Sequence, residues 1–259
     1  MTAVIIVPDS AELGRPAADV VVASLSGAAE PVIGVATGSS PLAIYAELAR
    51  RVASGELDLS RARGFALDEY VGISPDDPRS YAYFVRTVVE RELGMRPGAV
   101  RVPAACADDV DAAADDFERE IERVGVDIQI LGVGTNGHVG FNEPGSSLSS
   151  RTRVKALAES TRLDNARFFA APDDVPRLCV TQGLATILRA RRLVLVATGS
   201  AKAAAIAAAV EGPVSSSCPA SVIQLHPAAT VVVDEAAAAE LRHADYYRTA
   251  AALTVARAR

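Results

Sequence analysis

The sequence predicts an α/β fold of the Rossmann-like kind, in which an open, mostly parallel sheet carries helices on both faces. Short β-rich apolar runs alternate with helix-like stretches along the chain, and half of its 259 residues are hydrophobic. Such alternation is typical of parallel strands joined by covering helices. We expect a single domain over residues 1–259, because no linker or low-complexity run divides the chain.

The predicted elements follow one another in strand and helix order. Strands are expected at residues 4–7, 32–36, 64–67, 126–131, 193–197 and 230–233, where short β-rich runs occur. Helices are expected at residues 41–54, 108–123 and 201–210.

Two loops with the same sequence, VATGS at 35–39 and at 196–200, each close a predicted strand and open a helix. Backbone N–H groups at such a helix start can hold an anion, with Ser39 or Ser40 as helix cap and Pro41 in the first turn. A plain capped helix is the alternative for one loop. The second loop adds Lys202, whose ammonium suits phosphate, and neither loop is a Walker A motif. The first-loop candidates for binding a small phosphorylated metabolite are Thr37, Gly38, Ser39 and Ser40.

Two adjacent carboxylates, Asp68 and Glu69, end a predicted strand that runs through FALDEYVG at 65–72. Neighbouring residues on a strand point to opposite faces, so only one of the two can readily face a site there. A partly desolvated carboxylate in that place could act as a general base. Solvated acids at a strand end are the alternative.

The loop that follows the strand at 126–131 carries side chains suited to proton transfer. It reads GVGTNGHVGFNEP over residues 132–144 and contains Asn136, His138 and Glu143. Its first six letters match the GxGxxG dinucleotide fingerprint, but that motif needs a helix to begin within the glycines. Pro144 and Gly145 break any such helix. We therefore expect no nicotinamide cofactor and assign the imidazole to proton transfer.

Charge and composition exclude several classes of function. A net charge of −6 argues against a nucleic-acid partner. The chain has neither an apolar run of the ~20 residues that a bilayer requires nor a secretion signal, so no membrane partner and a cytoplasmic location are expected. Three scattered cysteines suggest neither disulfides nor zinc, and no metal is expected. His226 and His243 are expected to be structural or solvated.

Together these motifs resemble the signatures of the glucosamine-6-phosphate deaminases, and the resemblance covers nearly the whole chain. It rests first on LDEYVG at 67–72 and GHVGFNEP at 137–144. Further matching stretches are ATGSSP at 36–41, SSLSSRTRVK at 146–155, NARFF at 165–169, GSAK at 199–202, VEGP at 210–213 and QLHP at 224–227.

The resemblance implies conversion of an amino-sugar phosphate, glucosamine 6-phosphate, with water to fructose 6-phosphate and ammonia, and it implies no cofactor. Asp68 would take the C2 proton, His138 would open the sugar ring, and Glu143 would assist the imidazole. Lys202 and Arg167 would hold the phosphate. Some family members carry Asp where this chain has Asn136, which can hydrogen-bond His138 but lends it no charge.

Two other functions are alternatives to this one. A 6-phosphogluconolactonase of the same superfamily would share the Gly-rich loop and the phosphate site but would need no enolising base. A non-catalytic sugar-phosphate sensor would have little use for a base and a proton shuttle together. The DEYVG and NEP motifs look like the deaminase.

Regulation and assembly are left open by the sequence. Some members of the resembling family are hexamers activated by N-acetylglucosamine 6-phosphate, so a homo-oligomer is compatible with the resemblance. Ser146, Arg153 and Lys155 match parts of that allosteric site. The segment at 158–176, which includes Arg167 and two prolines, is interpreted as a lid over the site.

Overall fold

The computed structural model describes residues 2–257 and contains two sheets surrounded by helices. The strands are β1 Ala3–Val7, β2 Val32–Val35, β3 Arg63–Ala66, β4 Asp68–Tyr70, β5 Val100–Arg101, β6 Ile128–Gly132, β7 Arg153–Ala156, β8 Leu178–Thr181, β9 Leu193–Ala197 and β10 Ala229–Asp234. The α-helices are α1 Gly14–Leu25, α2 Leu42–Ala53, α3 Tyr81–Phe84, α4 Val110–Val124, α5 Glu159–Asn165, α6 Leu184–Ile187, α7 Ala203–Val210 and α8 Ala244–Arg257. A π-helical segment, Val85–Glu90, continues α3, and 3₁₀ segments lie at Ala166–Phe168, Pro172–Asp174, Ser200–Lys202 and Pro219–Leu225.

The main sheet has seven strands in the order β1-β10-β9-β6-β2-β3-β5, and every neighbouring pair is parallel. Every residue of β2 and of β9 is buried. Since successive side chains on a strand point to opposite faces, both faces of the sheet are covered. The predicted fold class, the six predicted strands and the three predicted helices are confirmed, with ends displaced by up to two residues.

The chain leaves the main sheet at Leu67, which corrects the prediction of one strand through residues 65–72. The Leu67 N–H still donates to the Val35 carbonyl of β2, at 3.0 Å, but the Leu67 carbonyl accepts from the Gln182 N–H, at 2.7 Å. From Asp68 onward the chain forms β4, the edge of a second, antiparallel sheet in the order β4-β8-β7. An apolar run indicates that a strand is buried but not which sheet it joins. The change of sheet at Leu67 could therefore not be predicted from the sequence.

Helix α4 covers the main sheet through an apolar stripe and ends at recognisable caps. The Asp109 carboxylate accepts the Ala112 N–H at 2.9 Å, and Gly125 closes the helix with φ +77°. Phe117 packs edge-on against Phe65 of β3, with ring centroids 5.7 Å apart.

No helix of the described residues is both long and apolar enough to cross a bilayer.

Glu118 on α4 joins this helix to α6 and to the residues that lead directly into β7. Its buried carboxylate accepts the Thr152 N–H at 3.0 Å, the Thr186 hydroxyl at 2.8 Å and the Arg151 Nε–H at 2.7 Å. Burial alone would raise the pKa of Glu118, but these donors outweigh it and the pKa is lowered. The second sheet is thereby fastened to the main one by a fully partnered buried charge.

We predict that Glu118→Ala lowers the free energy of unfolding by about 3 kcal/mol, because it leaves buried donors without an acceptor. Urea unfolding followed by circular dichroism measures this. The matched control is Asp116→Ala on the same helix: that side chain is 74% exposed and its ion pair is with exposed Arg119, so a loss below about 1 kcal/mol is expected. Equal losses in the two variants would contradict the prediction.

Candidate active site

A pocket of about 380 Å³ opens at the carboxyl ends of β2, β6 and β9, beside β4. This is the edge at which parallel α/β sheets bind their ligands. It brings together most of the predicted site residues: Thr37, Gly38, Ser39, Ser40, Asp68, His138, Arg167 and Lys202. Asn136 and Glu143 lie behind His138, and Ser146, Arg153 and Lys155 do not line the pocket.

The loop after β6 is a tight turn built around the imidazole of His138. The Gly134 N–H donates to the His138 carbonyl at 2.9 Å, and the Gly137 N–H donates to the Gly134 carbonyl at 3.0 Å, with Gly137 at φ +83°. A Cβ at Gly134 would lie 2.2 Å from atoms of the His138 ring, so only glycine fits there. No helix begins within these glycines, in agreement with our rejection of the dinucleotide fingerprint.

Asn136 connects His138 to Glu143. Its Oδ1 lies 2.7 Å from His138 Nδ1, and its Nδ2 donates to Glu143 Oε2 at 3.0 Å. Because the amide oxygen can only accept, Nδ1 carries the ring proton when the imidazole is neutral. The other ring nitrogen, Nε2, is then free to accept a proton.

Burial lowers the pKa of His138, and the ammonium of Lys202 lowers it further. The carboxylates of Glu143 and Asp164 act in the opposite direction. Glu143 Oε2 lies 3.7 Å from Nδ1, and its side chain is only 6% exposed. The imidazole is therefore neutral over most of the physiological range and suited to act as a base.

Asp68 and Glu69 point in different directions, as expected for neighbours on a strand. The Glu69 carboxylate accepts the N–H groups of Tyr70, Tyr81 and Ala82 at 2.9, 3.1 and 2.9 Å, so it binds two of the free N–H groups at the start of α3. Asp68 lines the pocket and is 4% exposed. Of the two carboxylates, only Asp68 faces the site.

Burial raises the pKa of Asp68 well above its ordinary value, and the Glu69 carboxylate raises it further, while the Phe141 N–H opposes both. The carboxylate lies against Gly140, where a Cβ would be 3.1 Å from Asp68 Oδ2 and from Thr181 Oγ1. Gly140 also has φ +56°, so glycine is favoured there on both counts. Its lack of a side chain leaves room for the carboxylate beside the pocket.

The first phosphate loop differs from the prediction in how its helix begins. Helix α2 starts at Leu42, Pro41 takes the N-cap position, and no side chain caps the helix. Ser39 and Ser40 were expected to cap it and do not, because Pro41 lies between them and the first turn. Their hydroxyls are consequently available on the pocket wall.

The second loop is held by a carboxylate that the sequence analysis missed. Both oxygens of buried Asp234, at the end of β10, lie 3.0 Å from the Gly199 nitrogen, and one also accepts the Ala237 N–H. The Lys202 N–H donates to the Gly199 carbonyl. With these two N–H groups in use, it is the Lys202 side chain that reaches the pocket. An acid directly after an apolar strand, as in VVVD at 231–234, was the available signal.

Lys202 and Arg167 supply the positive charge of the pocket. Lys202 is half-buried, and burial lowers its pKa. Arg167 is exposed, and its guanidinium lies 4.8 Å from the centroid of the Phe168 ring. Within residues 2–257, neither cation forms an ion pair with a carboxylate. Two unpaired cations beside hydroxyls suit a dianion such as a phosphate monoester.

The 158–176 segment contributes one wall of the pocket. Asp164 and Asn165 of α5 line it together with Arg167. Asp164 accepts from the Thr135 hydroxyl at 3.3 Å, and Asn165 Nδ2 donates to the Tyr70 hydroxyl at 2.9 Å. These contacts, like the stack of Tyr81 on Phe141 with centroids 5.8 Å apart, had no signal in the sequence.

The remaining candidates lie outside the pocket. Arg153 and Lys155 are on β7, and the Ser146 hydroxyl is buried with no hydrogen-bond partner among the described residues. The allosteric role of these three residues stays a prediction. The structural role of His226 is confirmed, since its Nε2 lies 2.8 Å from the Ala190 carbonyl, and His243 is exposed. The described residues contain no group of three or more potential metal ligands.

The chain is similar over almost its full length to proteins of a known family. The family described as glucosamine-6-phosphate isomerases/6-phosphogluconolactonase matches residues 8–233. The glucosamine-6-phosphate deaminase of Cutibacterium acnes is 55% identical over 246 residues, 95% of this chain and 94% of that protein. The deaminase of Mycolicibacterium smegmatis is 51% identical over 247 residues, 95% of each.

Solved structures agree with these sequence relatives. A monomeric glucosamine-6-phosphate deaminase superposes with a TM-score of 0.89 at 37% identity, covering 92% of this chain and 100% of that one. The 6-phosphogluconolactonase of Leishmania guyanensis superposes with a TM-score of 0.71 at 19% identity, covering 92% and 97%. The second likeness shows the fold alone.

We predict that Asp68→Asn stabilises the protein at neutral pH. The pKa of Asp68 in the folded protein lies above its unfolded value of about 3.9, so the folded state binds the proton of this carboxyl group more tightly. Stability therefore falls as pH rises from about 4 through the native pKa, by at most about 1.4 kcal/mol per pH unit, and Asn removes that loss. Urea unfolding of both proteins between pH 4 and 8 measures it. A stability difference that does not grow with pH would contradict the prediction.

Proposed function

The chain belongs to the family of glucosamine-6-phosphate isomerases and 6-phosphogluconolactonases, and we infer that within it the chain is a glucosamine-6-phosphate deaminase. It converts glucosamine 6-phosphate and water to fructose 6-phosphate and ammonia. The reaction couples an aldose–ketose isomerisation to hydrolytic loss of the amine. The near-full-length similarity to deaminases at 51–55% identity supports this assignment.

One observation carries the proposal: a buried carboxylate and an imidazole face the same pocket as two cations that form no ion pair in the described part of the chain. Asp68, His138, Lys202 and Arg167 all line it. Hydrolysis of a lactone needs no base that removes a proton from carbon. Enolisation needs a base that can reach the C2 proton, and the buried carboxylate of Asp68 supplies one, so the pocket favours the deaminase over the lactonase.

The phosphate is bound between the two VATGS loops. Lys202 and Arg167 provide charge, and Thr37, Ser39 and Ser40 provide hydroxyl donors from the loop before α2. This anchor places the C1–C2 end of the sugar toward His138 and Asp68. We propose that the 158–176 segment is a lid, because it carries Arg167 and forms a wall of the pocket.

Ring opening is assigned to His138. Its Nε2 accepts the proton of the anomeric hydroxyl and returns a proton to the ring oxygen, which breaks the C1–O5 bond and leaves an open-chain aldehyde. Asn136 keeps the Nδ1 proton in place, and Glu143, held by the Asn136 amide, balances the charge of the transient imidazolium.

Enolisation is assigned to Asp68. Its carboxylate removes the C2 proton while the aldehyde oxygen O1 takes up a proton, which gives an enolamine. Asp68 then delivers its proton to C1 as the amine nitrogen gives up one proton, which balances the proton gained by O1 and leaves a C2 imine. Water adds to C2, and the C–N bond breaks to release ammonia and leave the ketone of fructose 6-phosphate. The raised pKa of Asp68 strengthens it as a base, because a base is most effective when its pKa is near the working pH.

We predict that the protein releases ammonia and fructose 6-phosphate in equal amounts from glucosamine 6-phosphate, and that Asp68→Asn also abolishes exchange of the C2 proton. Enzymatic product assays and ¹H NMR in D₂O measure the two effects. Asp76→Asn, at a carboxylate that is 89% exposed, is the matched control and keeps both. Hydrolysis of 6-phosphogluconolactone without ammonia release would overturn the assignment, and persistent exchange would remove Asp68 as the base.

We predict that Asn136→Asp leaves the enzyme active and moves the acid limb of its pH–rate profile to higher pH. A carboxylate 2.7 Å from Nδ1 stabilises the imidazolium, so it raises the pKa of His138. The dependence of kcat/KM on pH measures the shift. An unchanged profile would argue against a hydrogen-bonded relay through residue 136.

A further inference from the structure

Helix α5 contacts the proton relay at two points. The Ala158 N–H, at its N-cap, donates to Glu143 Oε1 at 3.3 Å, and the Thr161 hydroxyl lies 3.5 Å from His138 Nδ1. Residues three apart lie on the same face of a helix, so one face of the first turn meets both ends of the relay.

Thr161 is the buried member of an otherwise exposed turn. Its side chain is 2% exposed, whereas the neighbouring Glu159 and Ser160 are exposed. Buried hydroxyls are almost always hydrogen-bonded. Among the described residues, His138 Nδ1 is the polar atom within reach of the Thr161 hydroxyl.

The same helix reaches the other end of the pocket. Asp164 and Asn165 stand at its C-terminal end, and Arg167 follows directly; all three line the pocket. Seven residues of α-helix span about 10 Å. Helix α5 therefore joins the proposed phosphate ligand Arg167 to the imidazole, and a substrate held at one end fixes the hydroxyl at the other.

We propose that Thr161 is a positioning residue for ring opening, holding the His138 imidazole with Nδ1 between two oxygens and Nε2 toward the sugar. The proposal rests on the proposed function. One oxygen at Nδ1 leaves the ring free to pivot about that hydrogen bond, and a second restricts the ring plane. The second oxygen matters more in this chain because residue 136 is Asn, whose neutral amide stabilises an imidazolium less than a carboxylate does.

Three charged groups face His138, and none is on residue 161. Glu143 belongs to its own loop, Asp164 to α5, and Lys202 to the loop after β9. Replacing Thr161 by Val preserves the side-chain shape and leaves all three charges in place. A change in the titration of His138 in that variant would consequently result from the loss of the Thr161 hydroxyl.

The test compares Thr161→Val, Thr161→Ser and the control Ser160→Ala, which removes an exposed hydroxyl from the same turn. Thr161→Val is expected to lower kcat about tenfold, the size of one hydrogen bond, with KM changed less than twofold. The acid limb of its kcat profile, and the ¹⁵N titration of His138 in the free protein, move to lower pH. Thr161→Ser restores both, and Ser160→Ala matches the wild type.

Binding of 2-amino-2-deoxyglucitol 6-phosphate, which is already open-chain, separates positioning from general damage. Thr161→Val should bind this analogue as tightly as the wild type. Wild-type kcat and His138 titration in Thr161→Val would overturn the proposal, as would loss of analogue binding or failure of Ser to rescue. Absence of ammonia from the wild-type protein would overturn the proposed function and this role together, whereas the ¹⁵N titration tests the Thr161–His138 contact independently of activity.

Discussion

Because all seven strands of the main sheet run parallel, the loops after β2, β6 and β9 leave the sheet at the same edge. That constraint brings residues from three distant parts of the sequence to one pocket: the Thr37–Ser40 loop, the His138 loop and the Lys202 loop. The antiparallel second sheet adds Asp68 from β4. Neither sheet alone holds both the imidazole and the carboxylate, so the chemistry depends on how the two are joined.

The buried carboxylates of the fold divide by how fully they are partnered. Glu118 has enough donors to keep its pKa low, and it fastens the second sheet. Asp234 accepts backbone N–H groups and holds the Lys202 loop. Asp68 is buried beside Glu69 with little compensation, and its pKa is raised. A buried charge with too few donors lowers the stability of the fold. In the pocket, the same lack of donors raises the pKa of Asp68 and suits it to act as a base.

The imidazole is controlled from three directions. Gly134 gives it room, Asn136 fixes its tautomer and links it to Glu143, and Thr161 approaches Nδ1 from α5. Asn136 hydrogen-bonds the ring through a neutral amide, which orients the imidazole without adding charge. The carboxylate of Glu143 lies further from the ring, with Oε2 3.7 Å from Nδ1, and it supplies the negative charge.

The sequence by itself determined the parallel fold, the family resemblance and most of the pocket, because hydrophobic periodicity and short motifs such as GHVGFNEP are local in the chain. It also established that only one of Asp68 and Glu69 could face the site, since that follows from the period of a strand. It could not decide which one, nor show that Glu69 binds N–H groups at the start of α3, that Asp234 holds Gly199, or that Thr161 meets His138. Those contacts join residues that are up to 35 positions apart, and only the packing of the two sheets and α5 brings them within hydrogen-bonding distance.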